Sequence, residues 1–149
     1  MGGANSTWRD IKTFGTCAYI VADEGTDGIL AIDLSNLPTS VSSEFFTSGT
    51  IPGANLGRAH NIYIDEPTGL AYVAGANINS GGMVIYDVAT TPGTPIFEAF
   101  APSVYAHDVY GANGVMYASE IFVGNFTLHV VTDLFLISLL RFRCSTTVL

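Results

Sequence analysis

Short apolar and aromatic runs recur along most of the chain, and polar turn-forming clusters separate them. Val, Ile, Tyr and Phe dominate the runs, whereas Gly, Pro, Asn and Asp dominate the gaps. Runs of this composition and length between turn clusters are typical of β-strands. No stretch with the period of an amphipathic helix occurs before the final part of the chain. The pattern therefore predicts an all-β protein.

The strands fall into a repeated unit. The segment AHNIYIDEPTGLAYVAG, residues 59–75, is closely similar to AHDVYGANGVMYASE, residues 106–120, and a third copy begins earlier in the chain. The copies begin at Arg9, His60 and His107, roughly 50 residues apart, a period typical of propellers and other repeat architectures.

Each repeat unit is predicted to consist of several short β-strands. We expect strands at residues 10–14, 17–22, 29–34 and 41–47 in the first unit, 60–64, 70–75, 83–88 and 96–100 in the second, and 108–110, 115–120 and 128–131 in the third. Hairpin turns are predicted at GTDG, PTG and ANG, where residues that tolerate positive φ occur. Four antiparallel strands in one unit form a propeller blade.

The fold class is therefore predicted as a β-propeller fragment with two complete four-stranded antiparallel blades and most of a third. The blades span about residues 9–50, 60–101 and 107–133, within a partial propeller at 1–133. Residues 134–149, LFLISLLRFRCSTTVL, form an off-pattern tail with two arginines and no acid. Because closed propellers have at least about four blades, we expect a piece of a larger ring. For the tail, a truncation or frame shift is favoured over a genuine cap.

The amino-acid composition argues against some classes of function. The chain has 149 residues, of which 48% are hydrophobic, enough for the core of a single domain. Five Lys and Arg against 13 Asp and Glu give a net charge of -8, which argues against nucleic-acid binding because phosphates require clustered cations. No apolar run is long enough to span a bilayer, and the N-terminus lacks the apolar segment of a signal peptide.

Several motifs resemble a known repeat family. WRDIKTFGTCAYIV, AHNIYIDEPTGLAYV and AHDVYG, together with ILAID and MVIYD, resemble the LVIVD-repeat β-propellers of the choice-of-anchor B type, which are bacterial surface or secreted proteins. The resemblance covers roughly residues 8–133 and implies an extracellular or cell-surface location. It implies no catalytic mechanism. The secretion signal and C-terminal anchoring segment of that family do not occur in this sequence.

The first positions of the repeat are the strongest candidates for a site. Each opens the innermost strand of a blade, so these side chains should line the central channel at equivalent places, and their sequence neighbours should point to the opposite side of the strand. The channel-lining or ligand-binding candidates are Arg9, Asp10, His60, Asn61, His107 and Asp108.

Two interpretations of these residues stay open. In the first, each polar pair hydrogen-bonds to the neighbouring blade and fixes its register. In the second, His60, His107 and Asp108 bind a divalent metal ion such as Zn²⁺, Mn²⁺ or Fe²⁺, since imidazole and carboxylate suit these metals. A complete ligand set would then require further blades.

Other polar residues favour structural roles. Asp33 and Asp87 should accept hydrogen bonds from the turns that follow them. The acidic turn with Asp23 should be solvated in preference to binding calcium, because it lacks the spacing of a calcium loop. His129 is predicted to be an exposed strand residue. Trp8, Tyr19, Tyr72 and Tyr117 are predicted to pack between blades.

The sequence thus favours a binding or interaction module for an unidentified protein or small-molecule ligand. The alternative is a metal-dependent oxidoreductase or hydrolase with histidines in the channel. Sheets at the two ends of a partial ring should expose apolar faces, so self-association is also expected.

Overall fold

The computed structural model describes residues 5–47, 51, 53–131 and 136–143, with the backbone alone for 136–139. Its regular structure within these ranges comprises a 3-10 turn at Asn79–Gly81 and twelve strands. The strands are β1 (Arg9–Phe14), β2 (Cys17–Ala22), β3 (Ile29–Asp33), β4 (Ser42–Phe46), β5 (Asn61–Asp65), β6 (Leu70–Ala74), β7 (Val84–Asp87), β8 (Ile96–Phe100), β9 (Asp108–Ala112), β10 (Val115–Glu120), β11 (Asn125–Val131) and β12 (Leu136–Arg143). The chain is all-β, as predicted.

The described strands form three four-stranded antiparallel sheets. Sheet 1 has the order β1-β2-β3-β4, sheet 2 has β5-β6-β7-β8 and sheet 3 has β9-β10-β11-β12. Every neighbouring pair of strands in a sheet is consecutive in the chain and antiparallel. The predicted blade architecture is confirmed.

Sheet 3 contains a strand that the sequence pattern did not predict. β12 lies in the segment described above as an off-pattern tail, and it pairs with β11 from Asn125↔Arg143 to Val131↔Leu136. The pairing shifts register between Leu128 and His129. The tail lacks the aspartate and turns of the repeat, but an apolar segment beside an open strand edge can satisfy the backbone groups of that edge. The third sheet therefore has four strands where the sequence predicted three.

The first strand of each sheet is the innermost strand, and β1, β5 and β9 lie side by side. Asp10 on β1 accepts a hydrogen bond from the Ile62 amide on β5 at 3.1 Å. Tyr63 on β5 packs against Tyr110 on β9, with ring centroids 4.8 Å apart. Because side chains alternate along a strand, each sheet has two faces. We call the face toward the preceding sheet its front face and the face toward the following sheet its back face.

The first apolar core fills the junction between sheets 1 and 2. The back face of sheet 1 supplies Tyr19, which is fully buried, and the front face of sheet 2 supplies Ile62, also fully buried. Burying a side chain of this size contributes roughly 1.5–3 kcal/mol. The other buried members include Val21, Ile29, Ile64, Val73, Val84 and Tyr86.

The second core fills the junction between sheets 2 and 3, where Tyr72 is the counterpart of Tyr19. A Cβ atom added at Gly111 on β9 would collide with the Tyr72 ring, so glycine at this position lets the inner strand approach the ring. The prediction that Tyr19 and Tyr72 pack between blades is confirmed by their complete burial. For Trp8 the same prediction was wrong, because its side chain is 65% exposed. Tyr117 is half-buried.

Carboxylates connect the sheets as well. Asp65, which is buried at the end of β5, accepts hydrogen bonds from the Asn113 and Gly114 amides in the β9–β10 turn at 3.0 and 2.6 Å. These bonds satisfy two backbone donors of sheet 3 with one side chain of sheet 2. The register between these sheets is therefore fixed by directional contacts in addition to apolar packing.

The aspartates that end β3 and β7 act within their own turns. Asp33 accepts a hydrogen bond from the Ser35 amide at 2.8 Å, and this bond lowers the pKa of the Asp33 carboxyl. Asp87 accepts from the Ala89 and Thr90 amides at 2.7 and 3.0 Å. The predicted structural role of both residues is confirmed.

His129 is not exposed, and that prediction was wrong. Its side chain is 2% exposed on β11, within hydrogen-bond distance of the Thr127 hydroxyl, which in turn donates to Glu120. Arg141 lies 3.8 Å from the same carboxylate. The sequence pattern placed β11 without its fourth strand, whereas β11 lies between β10 and β12, and His129 is paired with Met116 on the face of sheet 3 toward sheet 2. Burial, aided by Arg141, lowers the pKa of the His129 imidazole despite the opposing effect of Glu120.

This burial predicts a loss of stability in mild acid. The unfolded chain binds a proton at His129 near its ordinary pKa of about 6.5, whereas the folded chain binds it only at lower pH. The free energy of unfolding should therefore fall as pH drops below about 6.5, by up to about 1.4 kcal/mol per pH unit. Urea unfolding of the native chain and of His129→Gln between neutral and mildly acidic pH measures this, since the variant should show a shallower fall. Equal slopes would contradict the assignment.

Candidate functional site

One end of the sheets carries the starts of the inner strands together with the connections between sheets. We call it the upper end and define it by Arg9, His60 and His107. Arg9 begins β1, while His60 and His107 immediately precede β5 and β9. The structure thus places the three repeated positions at equivalent points on successive sheets, as the sequence spacing predicts.

The best-defined polar contact at the upper end joins sheets 1 and 2. The Nδ1 atom of His60 lies 2.9 Å from both carboxylate oxygens of Asp23, which follows β2. The two side chains are about one-quarter exposed, at 25% and 27%. A carboxylate on Nδ1 orients the imidazole and leaves Nε2 available for a ligand. The pair is therefore both fixed and accessible.

His107 extends this pair toward sheet 3. Its ring centroid lies 4.2 Å from that of His60, with the ring planes inclined at 50°. His107 is half-buried. Three groups able to form hydrogen bonds, one from each sheet, therefore meet at the upper end: Asp23, His60 and His107.

An aromatic pair lies next to this polar group in the chain. Tyr105, two residues before His107, packs on Phe122 with ring centroids 4.6 Å apart, and Phe122 is 76% exposed. Burial raises the pKa of the Tyr105 hydroxyl, and the negative charge of Asp23 raises it further. The His107 amide donates to the Ser119 carbonyl at 2.9 Å, so the turn after β10 that carries Phe122 lies at the same end of the sheets as His107. The upper end thus has a polar part and an adjoining aromatic part.

Backbone contacts hold the residues of this site in place. The Ala59 amide donates to the Ala22 carbonyl at 2.9 Å, which ties the segment before His60 to the end of β2. The Asp23 amide donates to the Trp8 carbonyl at 3.2 Å. Gly75 lies opposite His60 with φ +64°, and a Cβ added there would be 2.7 Å from the His60 Cβ. The absence of a side chain at position 75 therefore leaves room for the His60 side chain.

The residues that directly follow Arg9, His60 and His107 in the chain have side chains that point to the back faces of their sheets. Asp10 accepts hydrogen bonds from the Ile11 and Ile62 amides, at 2.9 and 3.1 Å, so it contacts the next blade as one interpretation predicted. Among the described residues, the Oδ1 atom of Asn61 is buried without a hydrogen-bond partner. Asp108 is exposed and accepts from its own neighbour, Val109, at 2.8 Å.

The geometry bears on the metal hypothesis. Within residues 5–47, 51, 53–131 and 136–143, no group of three or more His, Cys, Asp and Glu side chains is arranged to hold a metal ion. His107 and Asp108 are consecutive in extended chain, so their side chains point to opposite faces. The set of His60, His107 and Asp108 stays a prediction that requires ligands from elsewhere.

Sequence reasoning identified both histidines but missed Asp23 as their partner, because it treated the acidic turn as solvated. The sequence nevertheless contained a signal for this contact. Asp23 directly follows β2, whose last residue is paired with the first residue of the inner strand, Arg9↔Ala22. An acid at that place lies at the same end of the sheets as the repeated histidines, beside the next blade.

The stacked four-stranded sheets with adjacent inner strands define a β-propeller fold. A crystal structure of a protein from Lactobacillus plantarum shares this fold, with a TM-score of 0.67 and 16% identity over 97% of this chain and 43% of that chain. A second, from Bacteroides uniformis and described as "a putative 6-phosphogluconolactonase", has a TM-score of 0.62 and 14% identity over 85% of this chain and 37% of that chain.

At such identities these similarities show the fold alone, and the chain spans less than half the length of either protein. No family model matches the sequence. A search of curated proteins finds no match either. As for membranes, the part of the chain that the structure describes contains no helix with the length and apolarity needed to cross one.

Gly75 provides a test of how the site is supported. Gly75→Ala should destabilise the fold by about 1–3 kcal/mol, because alanine is strained at positive φ and its Cβ would collide with His60. Gly15→Ala is the matched control, since Gly15 also has positive φ but has nothing within 4 Å of an added Cβ. Urea unfolding compares the two. A Gly75→Ala cost no greater than that of Gly15→Ala would show that the close approach to His60 is not required.

Proposed function

We propose that this chain contributes the ligand-binding part of an extracellular or cell-surface β-propeller of the LVIVD-repeat type, and that its site is the group of Asp23, His60 and His107. The observation that carries the proposal is the partly exposed Asp23–His60 pair in contact with His107. Partly exposed, oriented polar groups at one place on a rigid scaffold are typical of binding sites.

The chemistry of the site indicates a class of ligand. Imidazole nitrogens that do not contact Asp23 can each donate or accept a hydrogen bond, depending on the tautomer. Hydroxyl and carboxylate groups are suitable partners. The Tyr105–Phe122 pair next to the polar group offers an aromatic surface for the less polar face of the same molecule. A small sugar acid combines these properties.

The proposed location depends on the LVIVD resemblance and is compatible with the composition. A net charge of -8 with only 12% charged residues argues for a protein that does not bind polyanions. Detection of the native protein by surface labelling of intact cells tests the location separately from ligand binding. Protein found only inside cells would contradict it.

A second candidate function is hydrolysis of a lactone, which the same Asp23–His60 pair favours. A carboxylate on Nδ1 leaves Nε2 of His60 able to accept a proton from water. The water oxygen would bond to the lactone carbonyl carbon, the ring C–O bond would break, and the proton would pass to the alcohol oxygen, giving a hydroxy acid. Lactone hydrolysis is considered because the similar protein from Bacteroides uniformis is described as "a putative 6-phosphogluconolactonase". A metal-dependent reaction would require the additional ligands discussed above.

Calorimetric titration with gluconate, glucuronate and 6-phosphogluconate tests the binding function. We expect saturable binding to at least one of these probes. His60→Ala and Asp23→Ala should each weaken it tenfold or more, because each removes or misorients a hydrogen-bonding group. Glu24→Ala is the matched control, since Glu24 is the exposed acidic neighbour of Asp23 and should leave binding unchanged.

Two outcomes would contradict the binding proposal. One is the absence of saturable binding to all three sugar acids by a chain that unfolds cooperatively. The other is hydrolysis of glucono-δ-lactone or its 6-phosphate above the spontaneous rate by the native chain but not by His60→Ala, which would establish the enzymatic alternative. Binding without turnover supports the proposed function.

A further inference from the structure

The short segments that lead into β5 and β9 share one pattern. Residues 58–60 have the sequence RAH and residues 105–107 have the sequence YAH. The central alanines, Ala59 and Ala106, are each only 1% exposed, whereas the residues on either side of them are exposed or half-buried. Each segment therefore has one side in the apolar core and its other side at the upper end, where the two histidines lie.

Backbone hydrogen bonds show that residues 58–60 are extended. The Arg58 carbonyl accepts from the Asn77 amide at 3.1 Å, and the His60 amide donates to the carbonyl that ends β6 at 3.0 Å, so both face sheet 2. The Ala59 amide between them donates instead to the last residue of β2 in sheet 1, at 2.9 Å. Backbone groups alternate in this way in an extended chain, and side chains two residues apart then share a side, about 6–7 Å from each other. The side chain of Arg58 therefore lies on the same side as that of His60.

Asn77 holds the backbone that carries Arg58. The Oδ1 atom of Asn77 accepts from the Gly57 and Arg58 amides at 2.7 and 3.1 Å, and its Nδ2 atom donates to the Asn55 carbonyl at 3.2 Å. Its own amide makes the contact with the Arg58 carbonyl described above. The backbone of Arg58 is therefore held in place although its side chain is exposed, an arrangement suited to a binding residue.

The guanidinium group of Arg58 is available to an external anion. Other cations of the chain are close to carboxylates, since Lys12 lies 2.7 Å from Asp10 and Arg141 lies 3.8 Å from Glu120. Within the part of the chain that the structure describes, no carboxylate is paired with Arg58. The sequence has 13 acidic residues against five Lys and Arg, so an arginine without an acidic partner is a distinct feature of this site.

An acidic ligand at the histidines needs such a cation. A carboxylate that reached His60 would lie near Asp23, which contacts the same imidazole, and Glu24 adds a second acid in the same turn. Like charges at this range repel each other. A guanidinium on the side that His60 occupies offsets the repulsion, and its planar fork binds a carboxylate or phosphate through two parallel N–H donors.

We propose that Arg58 binds the acidic group of the ligand, while hydroxyl groups of the same molecule contact His60 and His107. This inference rests on the proposed function, because it assigns a role within that site. Tyr105 occupies the position equivalent to Arg58 in the next segment. The ligand thus has a direction, with its anionic end at Arg58, between sheets 1 and 2, and its less polar face at Tyr105, between sheets 2 and 3. The site then selects sugar acids over uncharged sugars.

Calorimetric titration with gluconate and glucuronate, and with their uncharged amides, tests this role. The native chain should bind the acid roughly tenfold or more tightly than its amide, because the carboxylate alone forms a charge-assisted pair with the guanidinium. Arg58→Gln should weaken binding of the acid by roughly tenfold or more and leave binding of the amide unchanged. Arg143→Gln is the matched control, since it removes an equal charge from an exposed side chain on β12, the strand of sheet 3 farthest from β9, and should change neither affinity.

The other outcomes separate this inference from the proposed function. Equal native affinities for acid and amide, or an unchanged affinity of Arg58→Gln for the acid, would overturn the role of Arg58 but not the binding of sugar acids. Weaker binding of acid and amide alike in Arg58→Gln, with the fold intact by circular dichroism, would overturn it too, as would an equal loss in Arg143→Gln. A native chain that binds neither carboxylate overturns the inference, and binding of none of the three sugar acids overturns the proposed function with it.

Discussion

Apolar packing between the faces of successive sheets is the constraint on which the rest of the structure depends. A four-stranded sheet of this size cannot bury both of its faces alone, so each must pack on a neighbour. Tyr19 and Tyr72 are completely buried because a following sheet covers them, and Gly111 provides the space for one of these rings. Since each large side chain contributes roughly 1.5–3 kcal/mol on burial, the junctions dominate the stability of the stack.

The candidate site is a consequence of this packing. Asp23, His60 and His107 belong to three different sheets, and they meet only because the inner strands lie side by side. Directional contacts of Asp10 and Asp65 with the next sheet set the positions of those strands more finely than apolar contacts can. A site built across junctions depends on the integrity of the stack, since loss of one junction separates its groups.

The sequence predicts most of the fold because two kinds of local signal agree. Apolar runs give the strands, and the recurrence of Arg9, His60 and His107 gives the units and their equivalence. Two features depend on contacts that local patterns do not contain. β12 has no repeat motif and is a strand because β11 offers it an edge. His129 is buried on a strand that lies inside the sheet, on the face toward sheet 2. Likewise, the pairing of Asp23 with His60 joins positions 37 residues apart in the chain.

The most direct test of this account is a nuclear Overhauser measurement between inner strands in solution. If the sheets stack as described, cross-peaks should join the His60 and His107 rings, whose centroids are 4.2 Å apart, and the Tyr63 and Tyr110 rings, at 4.8 Å. Cross-peaks within each sheet serve as the internal reference. Intact sheets with no cross-peaks between these ring pairs would contradict the account.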